Sequence, residues 1–322
     1  MLSRHAEHLF WTGRYVERAA NAARMLDVTY HGLLGEPVAG ARRGWLDLLD
    51  VLHLGPQFTD THQLVDARTV SDFLVRDPTN PGAIVPCVFK ARENARSVRE
   101  LVSTELWESI NNFWLELQGR DLARDLDQQP YELYGLVRRR CQEVAGTATE
   151  TMPHDDGWRF LILGSMLERA EMTCRLLNVR FAPYTDDGAE LGFHQAVHVL
   201  KSASASEAFR RAHPAAMTLE NVIEFLVMSP TFPRSVLFCL QSAETELLQL
   251  DAPGRQSRAL RVLGRRRADL EFADVAELLA GDIHAFLDEV QDDVRRAADM
   301  VAVQFFRHTD EFAVFHSLES IS

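Results

Sequence analysis

One stretch of this chain occurs twice. The segment GRYVERAANAARMLDV, from Gly13 to Val28, returns as GSMLERAEMTCRLLNV from Gly164 to Val179, 151 positions later. A second segment, FLVRDPTNPGAIVPCVFKA from residue 73 to 91, returns as FLVMSPTFPRSVLFCLQSA from residue 225 to 243, 152 positions later. Two separate segments that repeat at almost the same offset predict an internal duplication of the chain.

The repeating unit is too long for a solenoid, so we expect two multi-helix halves, residues 1–154 and 155–322, in one compact body. Apolar residues recur at three- and four-residue spacing and alternating patterns are scarce, which predicts an all-α fold. The two halves should share a core about a pseudo-twofold axis. The predicted helices are Ser3–Leu34, Trp45–Leu54, Val65–Val75, a long helix from Asn80 to Leu117 kinked at Pro86, Tyr131–Thr149, Asp156–Phe181, further helices through His194, Val222 and Leu237, and Ala273–Phe306 with a break near Gly281.

Composition and net charge limit the classes of partner that this chain is expected to bind. The net charge is -13, from 34 basic and 47 acidic residues, which argues against a general nucleic-acid or anionic-membrane binder. No uninterrupted apolar run is long enough to span a membrane, and the first residues lack the pattern of a signal peptide. Four cysteines lie far apart without a CxxC motif, as in reduced cytoplasmic proteins. We therefore expect a cytoplasmic protein.

The repeated segment has the pattern of a helix-packing seam in both copies. Gly13 and Gly164 each cost about 1 kcal/mol relative to alanine inside a helix. Their presence in both copies predicts that another backbone or a ligand comes close at these two positions. The seam residues are Leu9, Thr12, Val16, Ala19, Ala23 and Leu26 in the first copy, and Phe160, Leu163, Leu167, Ala170, Cys174 and Leu177 in the second.

Charged side chains flank this seam, and they are the main candidates for a site. Because an isolated buried charge is costly, these groups should be paired, within or across the copies. One interpretation is a structural ion-pair network that fixes how the helices dock. The other is an axial pocket in which arginines hold a carboxylate or phosphate. The candidate acid–base residues are Glu17 and Glu168, and the candidate anion-binding residues are Arg14, Arg18, Asn21, Arg24, Arg92, Arg96, Arg169 and Arg175.

Other site chemistry is weakly represented. Motifs for phosphate-binding loops, dinucleotide binding, zinc proteases and serine hydrolases are absent from the sequence. Glu190, His194 and His198 fall on one helix face, but ordinary interfacial histidines explain them better than a metal does. We therefore expect neither a metal nor a cofactor in this chain.

Three segments together resemble the alpha-E family, a bacterial all-helical domain named for its Glu-Arg motif. They are MLSRHAEHLFWTGRYVERAANAARMLDV, ARENARSVREL with LWESIN, and LGSMLERAEMTCRLL, and the resemblance spans essentially the whole chain. Where the family pattern usually reads ERAEN, this chain has Ala20 in place of the second acid, and His8 stands where asparagine is common.

The resemblance implies partners rather than an activity. Alpha-E domains are typically encoded beside, or fused to, circularly permuted ATP-grasp proteins, and transglutaminase-like proteases accompany them. Such sets look like systems that make and cleave peptide or amide bonds. In that setting ATP and Mg²⁺ would belong to the ATP-grasp partner.

Three functions are compatible with these features of the sequence. The favoured one is an accessory or substrate-presenting subunit that holds an anionic group with its arginine cluster. The second is an enzyme acting on a peptide or amide bond, with Glu17 or Glu168 as acid or base. The third is a purely structural interaction module, and a homo-oligomer is compatible with all three. A reachable pocket lined by unpaired arginines would favour the first two, and a fully paired network the third.

Overall fold

Two long helices dominate the structure, because the repeated segment forms one helix in each half. The first is α1, Ser3–Gly32, and its counterpart is α9, Asp156–Arg180. Both agree closely with the predicted bounds. The computed structural model describes residues 1–180, 188–215, 217–251 and 256–306, without the side chains of residues 180 and 188–193.

Within these residues every regular element is helical, which confirms the all-α fold class. The structure breaks the predicted last helix at Gly281, as expected. Besides α1 and α9, the helices are α2 Val38–Val51, α3 Gly55–Thr61, α4 Ala67–Val75, α5 Ile84–Ser97, α6 Thr104–Gln118, α7 Leu122–Gln128, α8 Pro130–Thr151, α10 Gly188–Ser202, α11 Ser206–Ala212, α12 Leu219–Ile223, α13 Val236–Leu250, α14 Arg258–Glu271, α15 Val275–Ala280 and α16 Ile283–Val301, with π-helical turns at Glu224–Met228 and Ala302–Phe306.

The predicted single helix from residue 80 to 117 is wrong. The chain leaves helical geometry at Val98, and α6 begins anew after Ser103, whose hydroxyl accepts a hydrogen bond from the Leu106 N–H at 3.1 Å. Asn80 does not cap α5; its side chain accepts from the Gly82 N–H instead. Pro86 lies in the first turn of α5, where a missing N–H costs no hydrogen bond, so no kink is needed.

The packing of the helices is similar around α1 and α9. In the first half α1 packs against α5 and α8, and in the second half α9 packs against α13 and α16. The most extensive contact in the described chain joins α1 to α9. The apolar seam is buried in both copies, with Leu26 and Leu177 fully inaccessible. The core therefore continues from one half into the other.

Two glycines allow α1 and α9 to come together. A Cβ atom on Gly13 would lie 2.0 Å from the carbonyl oxygen of Leu161, and a Cβ on Gly164 would lie 2.1 Å from that of Phe10. Phe10 and Leu161 are themselves 151 positions apart, so the contact is reciprocal. This confirms the predicted close backbone approach. Superposition of the complete halves, and the boundary at residue 154, remain predictions.

Two further features concern membrane-spanning helices and the reactivity of the cysteines. None of the described helices has the length and apolar character needed to cross a bilayer. All four cysteines are buried as free thiols, and burial raises the pKa of each of them. Thiols of this kind are poor nucleophiles, so none is a candidate for covalent catalysis.

Candidate functional site

The two Glu-Arg pairs of the repeat cross between the halves. Arg169 Nη2 donates to Glu17 Oε2 at 2.7 Å, and Arg18 donates to Glu168 through Nε at 2.6 Å and Nη2 at 2.9 Å. We call these four residues the ER cross. Sequence neighbours such as Glu17 and Arg18 are not partners of each other. The crossing follows from the close approach of α1 and α9, in which each residue lies near its repeat counterpart and each carboxylate therefore lies beside the other helix.

Each carboxylate of the ER cross also accepts a hydrogen bond from a second arginine. Arg234, just before α13, donates from Nη1 to Glu17 Oε1 at 2.8 Å. Arg14 donates from Nε to Glu168 Oε2 at 2.9 Å. Both oxygens of each glutamate therefore accept from a guanidinium, the charge-assisted pairing that best stabilises a buried carboxylate.

This geometry makes both glutamates poor bases. Burial alone would raise the pKa of Glu17, but Arg169 and Arg234 hold it far below the usual range. Burial likewise opposes ionisation of Glu168, and Arg18 and Arg14 keep its pKa well below normal. Because Glu17 is 5% and Glu168 4% exposed, neither can readily meet a substrate. The acid–base role considered for them has no support in this arrangement.

A further carboxylate of α9, Glu171, also has arginine partners. It accepts from Arg14 Nη2 at 3.0 Å, from Arg175 one turn along α9, and from Arg295 of α16 at 3.3 Å. Arg175 is therefore paired within its own helix. Each arginine around Glu168 and Glu171 therefore has a carboxylate partner, which points to a structural cluster.

The first half lacks the equivalent acid. The position that matches Glu171 is Ala20, so Arg24, the counterpart of Arg175, has no carboxylate one turn before it. Its one hydrogen bond in the described structure runs from Nη1 to Asn21 Oδ1 at 2.7 Å. Burial, followed by repulsion from Arg234, lowers the pKa of Arg24 to about 9. The nearby carboxylate of Glu17 offsets part of this effect, but Glu17 is already shared by Arg169 and Arg234.

Three residues of the cluster were not among the site residues predicted from the sequence. Glu171 could have been found, since it lies opposite Ala20 in the repeat and one turn before Arg175. Arg234 had a weaker signal, as the basic residue of a segment whose counterpart is Gly82. Arg295 had none, because nothing local in the sequence brings α16 to α9.

The remaining arginine candidates lie elsewhere. Arg92 donates to Asn111 at 2.8 Å and pairs with Glu93, and Arg96, with 63% of its side chain exposed, pairs with the same glutamate. In the described structure their hydrogen bonds and ion pairs do not reach the ER cross. Arg92 and Arg96 therefore form a separate charged stripe on α5, stabilised by Trp107 beneath Arg92.

The structure does not test Glu190, His194 and His198 as a set of metal ligands. The side chain of Glu190 lies outside the described residues. His198 lies beside Gly32 and close to Ser202, and both His194 and His198 have interaction partners. Within the described chain no group of three potential metal ligands comes together.

The ER cross can now be compared with known proteins. A family model described as a predicted alpha-helical domain with a conserved ER motif matches residues 1–306. The chain belongs to the Alpha-E family. This chain has two Glu-Arg dipeptides, Glu17-Arg18 and Glu168-Arg169, and these are the residues that cross between α1 and α9.

Similar proteins are longer than this Alpha-E chain. An uncharacterized protein of Mycobacterium bovis and two of Mycobacterium tuberculosis are each 28% identical to it over 321 residues, covering 88% of this chain. The aligned region is 35% of each relative, so the chain spans about a third of their length. No solved structure matches the chain.

Proposed function

We propose that this chain is an accessory, substrate-presenting helical subunit of an ATP-grasp-dependent system that forms peptide or amide bonds. In this role the arginine cluster between α1, α9 and α13 holds an anionic group of the substrate or partner. Membership of the Alpha-E family supports the proposal, and so does the greater length of the mycobacterial relatives, in which a similar domain is joined to other sequence.

One observation carries the proposal: on the first-half side a buried guanidinium, that of Arg24, has no carboxylate partner among the described residues. Arg169 and Arg234 share the single carboxylate of Glu17, and Arg24 has no carboxylate of its own. A cluster that served only to dock helices would gain from neutral charge, because unpaired buried charge is destabilising. An incoming anion would supply the missing charge.

The chemistry of amide formation fits an anion site in a subunit without nucleotide motifs. The reaction joins a carboxylate to an amine, and the carboxylate is an anion until it is activated. In this proposal ATP and Mg²⁺ bind to the ATP-grasp partner, and a transglutaminase-like protease of the same system cleaves the bond. The helical subunit contributes binding and orientation.

The proposal is tested by reconstitution with a circularly permuted ATP-grasp protein from the same organism. We expect the two purified proteins to co-elute in gel filtration, and ADP release coupled to amide formation to increase when the helical chain is added. Arg96→Ala, on the exposed stripe of α5, should reduce this stimulation without lowering stability if that stripe also contacts the partner. Absence of both co-elution and stimulation would exclude the proposed role.

A purely structural interaction module is the second candidate, and the ER cross itself favours it. Both oxygens of Glu17 and Glu168 are paired, and the four-residue cross needs no ligand to balance it. Under this alternative the chain would bind its partner through its surface, and apolar replacement of an entire Glu-Arg pair would leave the reconstituted activity unchanged.

A further inference from the structure

One arginine of the repeat has different partners in the two halves. Arg175 donates to the carboxylate of Glu171, which Arg14 also contacts, so a carboxylate lies among the guanidiniums at that place. In the first half the matching arginine is Arg24, and alanine stands in the matching acid position. The second half thus shows which chemical group this arrangement of the repeat accommodates.

The donors of Arg24 are directed by Asn21. The Asn21 Oδ1 atom accepts from Arg24 Nη1 at 2.7 Å and from Arg234 Nη1 at 3.3 Å, which fixes the orientation of the amide. This uses the Nη1 group of Arg24 and leaves the Nε–Nη2 edge of its guanidinium without a protein partner in the described structure. That edge carries two parallel N–H groups, the fork that matches a carboxylate.

A second buried donor belongs to the neighbouring amide of Asn21. Asn21 is 2% exposed, and its Nδ2 group has no hydrogen-bond partner in the described structure. Exchanging the oxygen and nitrogen of the amide would not help, because Nδ2 would then face two guanidiniums. A buried amide donor without a partner is rare in folded proteins and costs stability unless something accepts from it.

The surroundings favour an anion over a neutral acceptor. Arg234 and Arg169 lie close enough to disfavour the charge on Arg24, and Arg138 of α8 adds to this effect. Arg234 and Arg169 are committed to Glu17, and Arg138 pairs with Asp27 at 2.7 Å. Arg24 is 5% exposed, so a small anion suits the site better than a large one.

We infer that Arg24 and Asn21 form a binding site for a single carboxylate group, which takes in the first half the place that Glu171 takes in the second. The carboxylate accepts two hydrogen bonds from the Nε–Nη2 edge of Arg24, while Asn21 holds the opposite side of that guanidinium through its Oδ1 atom. This inference deepens the proposed function, and rests on it, in naming a carboxylate as the anionic group that the subunit holds.

The test uses the purified full-length chain and sodium acetate as the probe, with sodium phosphate and sodium chloride at the same ionic strength. We expect acetate to raise Tm in a saturable manner, with little change in chloride. Arg24→Met should abolish the acetate-dependent rise, measured against the variant's own Tm without acetate. Arg24→Lys retains the charge but loses the fork, and should weaken acetate binding at least tenfold.

The repeat offers a matched control. Arg175→Met removes the equivalent arginine in the other half, where Glu171 retains Arg14 and Arg295, and its response to acetate should equal that of the parent. Ala20→Glu supplies the missing acid one turn before Arg24, and should remove the response. Equal stabilisation by chloride, a stronger response to phosphate, or an undiminished response in Arg24→Met would each overturn the inference.

The outcome is separable from that of the proposed function. Acetate binding is measured on the isolated chain and requires no partner, whereas reconstitution measures association with the ATP-grasp protein. A chain that binds acetate through Arg24 but does not stimulate its partner would retain the carboxylate site and lose the accessory role. A chain that stimulates its partner but does not bind acetate through Arg24 would retain the accessory role, and that role would then belong to another surface.

Discussion

Arg169 in the second half and Glu17 in the first are joined by an ion pair of 2.7 Å, and the exchanged positions of the repeat, Arg18 and Glu168, by one of 2.6 Å. Each half therefore carries the counter-ion of the other. Because all four groups lie at the α1–α9 contact, the charges on one helix are neutralised only when the two helices dock in register. The pairs thus specify how the halves fit as well as holding them together.

Glu17→Ala should destabilise the chain severely, by about 3–5 kcal/mol, because it leaves Arg169 and Arg234 largely buried without their carboxylate. The measurement is the free energy of unfolding from urea titration. Asp72→Ala is the control, since its pair with Arg76 is partly exposed and should be worth at most about 1 kcal/mol. Equal losses in the two variants would show that the ER cross is not desolvated.

The double variant Arg18→Met with Glu168→Met should recover much of the stability lost by either single change. Removing both members of a buried pair leaves no unpaired charge behind, and Arg14 still has Glu171. The measurement is a double-mutant cycle of unfolding free energies, with acetate-dependent Tm as a second readout. Full recovery with an unchanged acetate response would assign this pair to folding alone.

Gly13→Ala should prevent native packing, because the added Cβ would lie 2.0 Å from the Leu161 carbonyl oxygen. Gly146, exposed on α8 with nothing near its Cβ position, is the control. Its replacement by alanine should raise stability by about 0.4–1 kcal/mol through helix propensity and a less flexible unfolded chain. Circular dichroism and thermal melting of both variants measure the difference.

Arg24→Met should make the isolated chain more stable, by about 1–2 kcal/mol, because a buried guanidinium without its own carboxylate is lost. Arg175→Met should instead lower stability, since Glu171 loses one of its partners. The two residues occupy the same position of the repeat, so their opposite effects on Tm measure the charge imbalance directly. A loss of stability in both variants would mean that Arg24 is adequately paired.

Acid should destabilise the chain through Glu17 and Glu168. Their pKa values are lowered in the folded state, whereas in the unfolded chain a glutamate titrates near about 4.3. Their contribution is therefore fully present above that pH and is lost as pH falls toward the lower folded-state pKa values. Urea midpoints between pH 6 and 3 should show this loss, and Glu17→Gln should weaken it. A pH-independent Glu17→Gln difference would contradict the assignment.

The long helices could be predicted from sequence because periodicity, caps and the repeat are local properties. Ser3–Gly32 and Asp156–Arg180 were located in this way, and so was the need for close approach at the glycines. The break at Val98 was missed because the apolar spacing continues across it, while the Ser103 cap decides where α6 begins.

The partners within the charged cluster could not be predicted in the same way. The pairing of Arg234 with Glu17 joins residues 217 positions apart, and Arg295 reaches Glu171 from a helix with no repeat signal near it. Local spacing places a charge on a helix face but does not say which distant helix covers that face. The contrast between Ala20 and Glu171 was visible in the sequence, and its meaning needed the contacts of Arg24.

The reciprocal glycine contacts make the halves resemble the subunits of an obligate dimer that happen to share one chain. Gly13 receives the backbone of α9 and Gly164 that of α1, so neither surface is complete without the other. We expect fragments cut in the short connection between α8 and α9 to be poorly folded when expressed singly and to assemble when expressed together. In such a split protein, the charged cluster would form only when the two fragments associate.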